Sequence, residues 1–527
     1  MSHPSLQPPA HRHVASDVVI VVLGASGDLA KKKTFPALFA LYRQGLLPRN
    51  TSIIGYARTK LDSQGLHDRI ASYLVGTESS EGQVALQQFL PLVTYTAGSY
   101  DDDAAFQQLE IQIQAIEKKR GLTQGGLHRL FYMALPPSVF IKVAAHLKKN
   151  NYAPSGSNRI ILEKPFGKDL ESCQEMLQAL APLWTEEETF RIDHYLGKEM
   201  VKNLLTIRFA NPAIEATLNN KFVSNVQITF KEPFGTDGRG GYFDEFGIVR
   251  DIIQNHLCQI LSLFAMEQPT SLDAEAIRNS KVAVLKDIAP VTIQDTLLGQ
   301  YVTGNNKPGY KDDPTVPNDS LCPTFAALAL WINNSRWNGV PFILRAGKAL
   351  DEAKVEIRVQ YKDPANNLFA STNSSMMRNE LVIRIQPNEA IYMKINTKTP
   401  GLTYDSIKVE LDVTYKERFN HSRIPDAYES LLSDVLVSDH SNFVRSDELD
   451  ASWSIFTPLL YAIDRGEIQL EPYPYGSRGP KVLANWMAHY GFKYDNQNYD
   501  WPQTDVRKHH RTSSSPVNHH PFGKALM

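Results

Sequence analysis

The sequence predicts two domains of different fold class, an N-terminal α/β domain with a doubly wound parallel sheet and a larger C-terminal α+β domain with a mostly antiparallel sheet. Up to about residue 190, short apolar runs alternate with stretches of helical periodicity, as expected for parallel strands joined by helices. From about Val223 onward, longer segments alternate apolar and polar residues, which is typical of an antiparallel sheet with one covered face. We therefore predict domains over 17–195 and 196–504, a flexible segment over 1–16 and a disordered tail over 505–527.

In the first domain, the apolar, β-branched run Val18 to Leu23 predicts a strand that ends in a glycine turn. Helical spacing over Leu29 to Gly45 predicts the helix that follows this turn. Further strands are predicted over 52–56, 130–135 and 159–162, with a helix over 139–149. This order of elements predicts a Rossmann-like domain.

In the second domain, five segments alternate with period two: NVQITFKE, KVEIRVQY, ELVIRIQP, AIYMKINT and KVELDVTY. Strong helical patterns lie between the strand-like segments, over 243–266 and 426–437. We therefore expect helices packed against one face of a large sheet.

Composition excludes several classes of protein. The 527 residues carry 55 Lys and Arg against 57 Asp and Glu, and a pI of about 6.7 gives no overall positive field that would attract nucleic acid. The three cysteines are widely separated, which fits a reducing compartment rather than a disulfide framework. No signal-like apolar segment precedes the first strand, and that strand is too short to span a bilayer. We expect a cytoplasmic protein with no membrane or nucleic-acid partner.

A glycine-rich turn, GASGDLAKKK, lies where the first strand passes into the first helix. Its glycines permit a tight turn, and the free N–H groups of the following helix can bind a pyrophosphate. Ala30 stands where the usual fingerprint has a third glycine, but the strand, turn and helix context favours dinucleotide binding over an ordinary turn. The candidate cofactor residues in the turn are Gly24, Ala25, Ser26, Gly27, Asp28 and Leu29.

Arg58 follows the second predicted strand, at the position where an acidic residue would bind the ribose hydroxyls of NAD. A guanidinium can pair with the 2′-phosphate of NADP, so the sequence favours NADP, although an exposed surface arginine is the alternative. Leu135 and Pro136 end a later strand and would line the cofactor cleft at the carboxyl edge of the sheet, or belong to its core. Lys164, in the strand end Glu163-Lys164-Pro165, would lie beside the nicotinamide or else in a solvated turn.

The segment RIDHYLGKE joins a predicted strand end to a helix that begins near Gly197. Its histidine, tyrosine and lysine offer the donors and charge that bind a phosphate, and Asp193 could orient a neighbouring imidazolium. His256 lies on the apolar stripe of the helix predicted over 243–266, where a lone histidine is more often a packing residue than a catalyst. Its candidacy therefore depends on the other residues of the site.

These motifs, together with EKPFGKDL, KEPFGTDGRGGYFDEFGIVRDIIQNHL and ILRAGKAL, closely resemble the glucose-6-phosphate dehydrogenase family over nearly the whole chain. The segments RNELVIRIQPNEAIYMK and YGSRGP resemble its eukaryotic branch. The resemblance implies NADP-dependent oxidation of β-D-glucose 6-phosphate at C1, giving 6-phospho-D-glucono-1,5-lactone and NADPH at the entry to the pentose phosphate pathway. It implies a general base, His256, with Asp193 as its carboxylate partner and no metal.

The resemblance also implies a substrate site and a second, structural NADP site. It assigns the substrate to Lys164, His194, Tyr195, Lys198, Glu232, Asp251, Lys348, Gln386 and Lys33. It assigns the structural NADP to Arg345, Lys354, Arg358, Arg384, Tyr392, Lys394, Asp412, Arg478, Tyr494 and Trp501. From the sequence alone, this second set could equally be a solvated sheet face. The sequence departs from some family members at Ala353, where they have a basic residue, so substrate affinity could differ there.

The resemblance further implies a homodimer whose large sheets meet, with dimers able to pair into tetramers. Two other functions remain open at this point. One is another NADP-linked sugar oxidoreductase that does not require the 6-phosphate, and the other is a dinucleotide-binding regulatory protein without catalysis. Retention of Asp193, His194, Lys198 and His256 together argues against the second alternative.

Overall fold

The computed structural model describes residues 16–122, 126–366, 368–369 and 376–494. Its first sheet has six parallel strands in the order β3-β2-β1-β4-β5-β6, the order of a doubly wound dinucleotide-binding sheet. The strands are β1 (Asp17–Leu23), β2 (Asn50–Ala57), β3 (Val93–Ala97), β4 (His128–Met133), β5 (Ser157–Leu162) and β6 (Thr189–Arg191). All residues of β1 are buried, as its unbroken apolar run predicts for a strand covered on both faces.

Helices cover both faces of this sheet. They are α1 (Phe35–Arg43), α2 (Ser63–Ala71), α3 (Ser80–Phe89), α4 (Asp103–Lys119), α5 (Phe140–Asn150) and α6 (Leu170–Leu180), with 3-10 turns at Leu90–Leu92 and Pro137–Val139. A π-helical segment, Ala30–Thr34, leads directly into α1, so the helix predicted over 29–45 is present but has a widened first turn.

The second sheet has nine strands in the order β14-β13-β12-β11-β7-β10-β9-β8-β15. It is mostly antiparallel, but β10 pairs in parallel with β7 and β15 pairs in parallel with β8. Its strands are β7 (Val223–Lys231), β8 (Thr296–Val302), β9 (Phe325–Trp331), β10 (Pro341–Gly347), β11 (Lys354–Tyr361), β12 (Glu380–Gln386), β13 (Ala390–Lys398), β14 (Ser406–Thr414) and β15 (Leu470–Pro474). The predicted combination of an α/β and an α+β domain is therefore confirmed.

The remaining helices follow β6 in the chain and pack against the second sheet, against one another and against helices of the first domain. They are α7 (Glu199–Phe209), α8 (Pro212–Glu215), α9 (Gly240–Asp244), α10 (Cys258–Ala265), α11 (Ala274–Lys286), α12 (Tyr415–Arg418), α13 (Ala427–Leu436), α14 (Ser446–Asp464) and α15 (Leu483–His489), with a 3-10 turn at Tyr310–Asp312. Among the residues described above, no helix is long and apolar enough to cross a membrane.

The prediction of one continuous helix over 243–266 was wrong. The chain forms the short helix α9, turns at Gly247 with a φ of +67°, and then enters a π-helical segment, Val249–Leu257, that continues into α10. The positive φ interrupts the helix, and apolar periodicity alone did not reveal this break. The π-helical segment carries His256, so the misread stretch is part of the candidate site described below.

The two sheets share a continuous apolar core. One buried cluster contains Leu162 of the first sheet, Tyr195 and Leu196 after β6, and Val226 and Ile383 of the second sheet. Burial on both sides holds the segment between β6 and α7 in a fixed position.

A buried ion pair joins α11 to α14. The Lys281 Nζ atom lies 2.7 Å from Glu448 Oε1, and both side chains are fully buried. Removing one partner leaves the other charge buried without compensation, so Lys281→Met should lower the free energy of unfolding by about 3–5 kcal/mol. The double variant Lys281→Met/Glu448→Met should recover much of this loss in thermal unfolding measurements. Equal destabilisation by the single and double variants would contradict a strongly coupled pair.

Candidate functional site

The candidate site lies where the carboxyl ends of β5 and β6 meet the second domain. Parallel strands end at the same edge of a sheet, so the residues that follow these two strands are brought together. Glu163, Lys164 and Pro165 follow β5, with a cis peptide bond before Pro165, and Asp193 follows β6. His256 approaches this edge from the π-helical segment of the second domain.

Asp193 and His256 form a buried pair across the domain junction. The Nδ1 atom of His256 lies 2.6 Å from Asp193 Oδ1, and the two side chains are 2% and 4% exposed. The backbone N–H of Tyr195 also donates to Asp193 Oδ1 at 2.9 Å. A carboxylate on Nδ1 fixes the imidazole so that its Nε2 atom is available to accept a proton.

Electrostatics keep the carboxylate of this pair ionised. Burial alone would raise the pKa of Asp193, but the charge of His256 and its hydrogen bond outweigh burial and lower the pKa to about 2. Burial lowers the pKa of His256 below its ordinary value, although Asp193 opposes this effect. An imidazole that is neutral at physiological pH beside a carboxylate is suited to act as a general base.

Two aromatic side chains, His194 and Tyr195, pack against the imidazole of His256. The rings of His194 and Tyr195 lie 4.6 and 4.5 Å from the ring of His256 between centroids. Gln386 Nε2 donates to the Tyr195 hydroxyl at 3.3 Å, so the end of β12 also reaches this group. Burial lowers the pKa of His194 well below its usual range, so His194 offers a neutral ring rather than a charge.

Lys198 lies at the start of α7, with its ammonium 4.9 Å from the centre of the Tyr195 ring. Burial lowers its pKa. Close approach of Gly197 to the start of α13 sets this geometry, because a Cβ atom at Gly197 would lie 2.4 Å from the carbonyl oxygen of Ala427. Lys33 and Lys198 line one cleft together, in which Lys33 lies 3.8 Å from Asp426.

A chain of charges extends from the other side of His256. Lys164 Nζ donates to the backbone oxygen of Asp251 at 2.7 Å and lies 3.4 Å from its carboxylate. Lys348 Nζ lies 2.7 Å from Glu232 and 3.6 Å from Asp251. These two lysines and two carboxylates could bind the hydroxyl groups of a polar ligand from several directions.

A cavity of about 360 Å³ opens over Lys164, Asp251 and Lys348. Sequence reasoning missed several of its lining residues, which come from the segment after β7 and from α9: Phe234, Thr236, Arg239, Tyr242 and Phe243. The sequence signal that could have identified them is the run FGTDGRGGYF, whose glycines and aromatic residues mark an exposed loop at a strand end.

The glycine-rich turn has the geometry needed to approach a phosphate. Gly24 has a φ of +81°, and a Cβ atom there would lie 2.1 Å from the backbone oxygen of Ala134, so only glycine fits. The N–H of Gly27 donates to the oxygen of Gly24 at 2.9 Å, and the Ser26 hydroxyl lies 2.9 Å from that of Thr59. Ala25 is buried under the turn, and Asp28 forms a surface ion pair with Lys31 at 2.7 Å just before the partly buried Leu29.

Arg58 directly follows β2 and is exposed, with its guanidinium 5.3 Å from the centre of the Tyr100 ring. Leu135 and Pro136 follow β4 at the same edge of the sheet, Leu135 buried and Pro136 exposed. The structure thus places these residues around the end of the sheet that carries the glycine-rich turn.

Six of the residues predicted to hold a second nucleotide lie on one face of β10 to β13: Arg345, Lys354, Arg358, Arg384, Tyr392 and Lys394. Two buried carboxylates hold cations there: Glu356 lies 3.0 Å from Arg358 and 3.3 Å from Arg384, and Glu380 pairs with Arg358 and Lys394. Burial would raise the pKa of Glu356, but the neighbouring cations lower it to about 2.

The other members of this set differ in exposure. Arg345 and Lys354 lie within the same face, Tyr392 is buried in β13, and Asp412 is its exposed neighbour in β14. Arg478 and Tyr494 are exposed, with Arg478 3.6 Å from Asp351. The remaining residue, Trp501, lies outside the described residues.

Glu163 is a buried carboxyl group that sequence reasoning did not assign to the site. It accepts a hydrogen bond from the Tyr132 hydroxyl at 2.6 Å and directly precedes Lys164. Burial raises its pKa to about 7, although the bond from Tyr132 opposes this effect. A strand-end glutamate beside Lys-Pro gives no sequence signal of such burial.

Two family models together match most of the chain. The model of the glucose-6-phosphate dehydrogenase NAD binding domain matches residues 21–203, and that of the glucose-6-phosphate dehydrogenase C-terminal domain matches residues 205–495. The chain belongs to the glucose-6-phosphate dehydrogenase family. It therefore contains the family's NAD binding domain, in which the glycine-rich turn lies.

Individual relatives cover almost the whole chain. It is similar to glucose-6-phosphate 1-dehydrogenase of Emericella nidulans, with 56% identity over 93% of this chain and 94% of the relative. The enzyme of Saccharomyces cerevisiae is 52% identical over 93% and 96% of the two chains. A solved glucose-6-phosphate dehydrogenase in complex with its substrate glucose 6-phosphate has a TM-score of 0.88 and 51% identity, over 92% of this chain and all of that one.

Ionisation of Glu163 predicts a pH dependence of stability. Because folding raises its pKa from 4.5 to about 7, the stability contributed by the neutral acid is present below pH 4.5 and lost as the pH rises through 7. The difference in melting temperature between Glu163→Gln and wild type should therefore lie about 1–2 °C or more further in favour of the variant at pH 8 than it does at pH 5. Thermal melts across this range test the prediction, with the exposed Glu171→Gln as control. The same offset at both pH values would contradict it.

Proposed function

We propose that the chain oxidises β-D-glucose 6-phosphate at C1, with NADP as the hydride acceptor, to 6-phospho-D-glucono-1,5-lactone and NADPH, the first step of the oxidative pentose phosphate pathway. The observation that carries this proposal is the buried Asp193–His256 pair, 2.6 Å apart, at the carboxyl edge of the dinucleotide-binding sheet. Formation of NADPH, followed by its absorbance with glucose 6-phosphate as substrate, tests it directly. Equal rates with unphosphorylated glucose would favour a less specific sugar oxidoreductase.

In this mechanism, His256 Nε2 takes the proton of the C1 hydroxyl while the hydride leaves C1. The C1–H electron pair leaves as hydride, the O–H electrons form the C1=O bond, and the proton stays on the imidazole. Asp193 stabilises the imidazolium that forms, because its ionised carboxylate lies on Nδ1. Bound NADP would supply the nicotinamide that accepts the hydride.

The phosphate end of the substrate is assigned to His194, Tyr195 and Lys198, with Lys33 beside them. Lys198 contributes a positive charge near the Tyr195 ring, and the two neutral side chains contribute hydrogen-bond donors. A phosphate fixed at this end would orient C1 toward His256. Binding of the phosphate would therefore also position the reacting carbon.

The sugar hydroxyls are assigned to Glu232, Asp251, Lys348 and Gln386. Lys164 lies between the carboxylate of Asp251 and the carboxyl edge of the first sheet, so it can contact both substrate and cofactor. The hydrogen bond from Gln386 to Tyr195 joins the hydroxyl-binding and phosphate-binding groups.

NADP is assigned to the glycine-rich turn, residues 24–29, with Leu135, Pro136 and Lys164 along the cleft. Preference for NADP over NAD is assigned to Arg58, whose exposed guanidinium can bind the 2′-phosphate. The cation-rich face of β10 to β13 supports a second, structural NADP, because several cations converge on two buried carboxylates.

Self-association is assigned to the edge of the second sheet. Strand β14 is the edge strand, and its apolar side chains Ile407, Leu411 and Val413 are 42–58% exposed. Apolar groups on an unpaired edge strand favour cover by another chain, which supports a homodimer and, through it, a tetramer. A cytoplasmic location is proposed by likeness to an Arabidopsis thaliana relative named as cytoplasmic, which is 51% identical.

Removal of the proposed base should abolish most turnover. His256→Asn should lower kcat by about 10²–10⁴-fold with a much smaller change in KM, because a general base contributes to the chemical step. Asp193→Asn should lower kcat in the same direction by less. Steady-state rates of NADPH formation measure both effects, and near-normal kcat for His256→Asn would refute the assignment.

Loss of the proposed 2′-phosphate ligand should change cofactor preference. Arg58→Ala should raise the KM for NADP by about tenfold or more and leave the KM for NAD nearly unchanged, since only NADP carries the phosphate. The control Arg43→Ala removes an arginine from the end of α1. Equal changes for both cofactors would show that Arg58 supports the fold instead.

The structural NADP site predicts ligand-dependent stability. NADP that binds only the folded chain should raise the melting temperature as its concentration increases. Lys394→Ala or Arg384→Ala should reduce this increase, while kcat at low temperature stays near normal. Melting curves of wild type and both variants against NADP concentration provide the measurement. An unchanged NADP-dependent increase in both variants would remove the second site from this account.

A further inference from the structure

A small cavity borders Asp193 and shares Lys164, Arg250 and Asn255 with the larger cavity over Asp251 and Lys348. Its walls come from the ends of β5 and β6, the π-helical segment, α10 and α14. The volume open to the centre of a water molecule is about 20 Å³, which is enough for one water.

Two buried acceptor atoms belong to residues that line this cavity. Asp193 Oδ2, the oxygen that does not face His256, has no hydrogen-bond partner among the described residues, and neither does Gln259 Oε1. The two residues are each 3% exposed. A buried carboxylate oxygen without a donor is costly, so this pair of acceptors needs an explanation.

Six side chains that line the cavity donate to other groups. Lys164 donates to the backbone oxygen of Asp251, Arg250 to that of Lys168 and to Asp464, and Asn255 Nδ2 to the backbone oxygen of Arg250. Gln254 Nε2 donates to Ser452 Oγ at 3.0 Å, and Ser452 Oγ donates to the backbone oxygen of Leu449 at 3.0 Å. The indole N–H of Trp453 donates to the backbone oxygen of Phe166 at 2.8 Å. A single group that satisfied both acceptors would bring two hydrogens and fit the space of one water.

We propose that a buried water donates one hydrogen to Asp193 Oδ2 and the other to Gln259 Oε1, and that Gln259 is thereby a positioning residue for the catalytic pair. The water stabilises the ionised carboxylate from behind, while Oδ1 remains directed at His256. Gln259 lies on α10, one turn beyond His256, so the same helical stretch carries the base and the residue that holds its partner. The inference rests on the proposed roles of Asp193 and His256.

Without this water, the charge of Asp193 would be less well solvated and would attract a proton on His256 more strongly. The pKa of His256 would then rise, and the acid limb of kcat/KM would move to higher pH, because the base must be neutral to act. The other titratable or charged groups near the pair stay unchanged; they are Glu163, Lys164, His194, Tyr195, Lys198, Arg250, Asp251, Cys258, Lys348 and Tyr428.

The test compares Gln259→Met, which keeps the side-chain size but removes the amide, with Ser262→Ala, which removes another buried polar group of α10. We expect Gln259→Met to raise the pKa that governs the low-pH fall in kcat/KM by about half a unit or more. At pH values above this fall, kcat/KM should stay near that of the wild type. Ser262→Ala should affect only the melting temperature. An unchanged limb in Gln259→Met, whether or not its melting temperature falls, would overturn the proposal.

Two measurements do not depend on turnover. Histidine-selective ¹⁵N NMR should report the same increase in the pKa of His256, even if the chain oxidised no sugar phosphate and the proposed function failed. A high-resolution crystal structure of the wild type should contain a water within about 3.2 Å of Asp193 Oδ2 and of Gln259. If Gln259→Met does not fold, the crystal structure of the wild type is the deciding test. Absence of the water from this site would overturn the proposal.

Discussion

The hydrogen bond between Asp193 and His256 is the interaction on which the rest of the site depends. Its carboxylate comes from the first sheet and its imidazole from the second domain, and both are buried. Burial of a charge is tolerated only when it is paired, so this bond ties the two domains into one relative position. That position also sets where Lys164, at the end of β5, meets Asp251 on the π-helical segment. The proposed cofactor and sugar sites therefore share one junction rather than lying on separate domains.

Charge is divided around this junction in a way that suits a phosphorylated sugar. On one side, Lys198 and neutral donors lie near the Tyr195 ring, and on the other, carboxylates alternate with Lys164 and Lys348. A phosphate is attracted to the first group, and hydroxyls can bond to the second. The imidazole between them is deprived of water by burial, which lowers its pKa and keeps it neutral. In the proposed function, the same groups thus orient the substrate and keep the imidazole of His256 neutral.

Much of this architecture could be predicted from local sequence pattern. The parallel sheet, the glycine-rich turn and the alternating strands of the second sheet follow from periodicity and from the conformational freedom of Gly24. The boundary near 195 and 196 stays a prediction. Apolar periodicity did not reveal the break at Gly247 or the π-helical turn, because apolar residues such as Val249 and Ile253 are buried in this segment just as a regular α-helix would bury them. Burial of Glu163 and the cavity beside Gln259 arise from long-range packing, which no local pattern records.

The most direct test of the account is a crystal structure of the chain with glucose 6-phosphate bound. We expect the C1 hydroxyl within hydrogen-bond distance of His256 Nε2, about 2.6–3.2 Å, and the phosphate on His194, Tyr195 and Lys198. The sugar hydroxyls should lie on Glu232, Asp251 and Lys348. A sugar bound with C1 remote from His256, or with its phosphate in the cavity beside Phe234 and Thr236, would contradict the proposed orientation and with it the role of the buried pair.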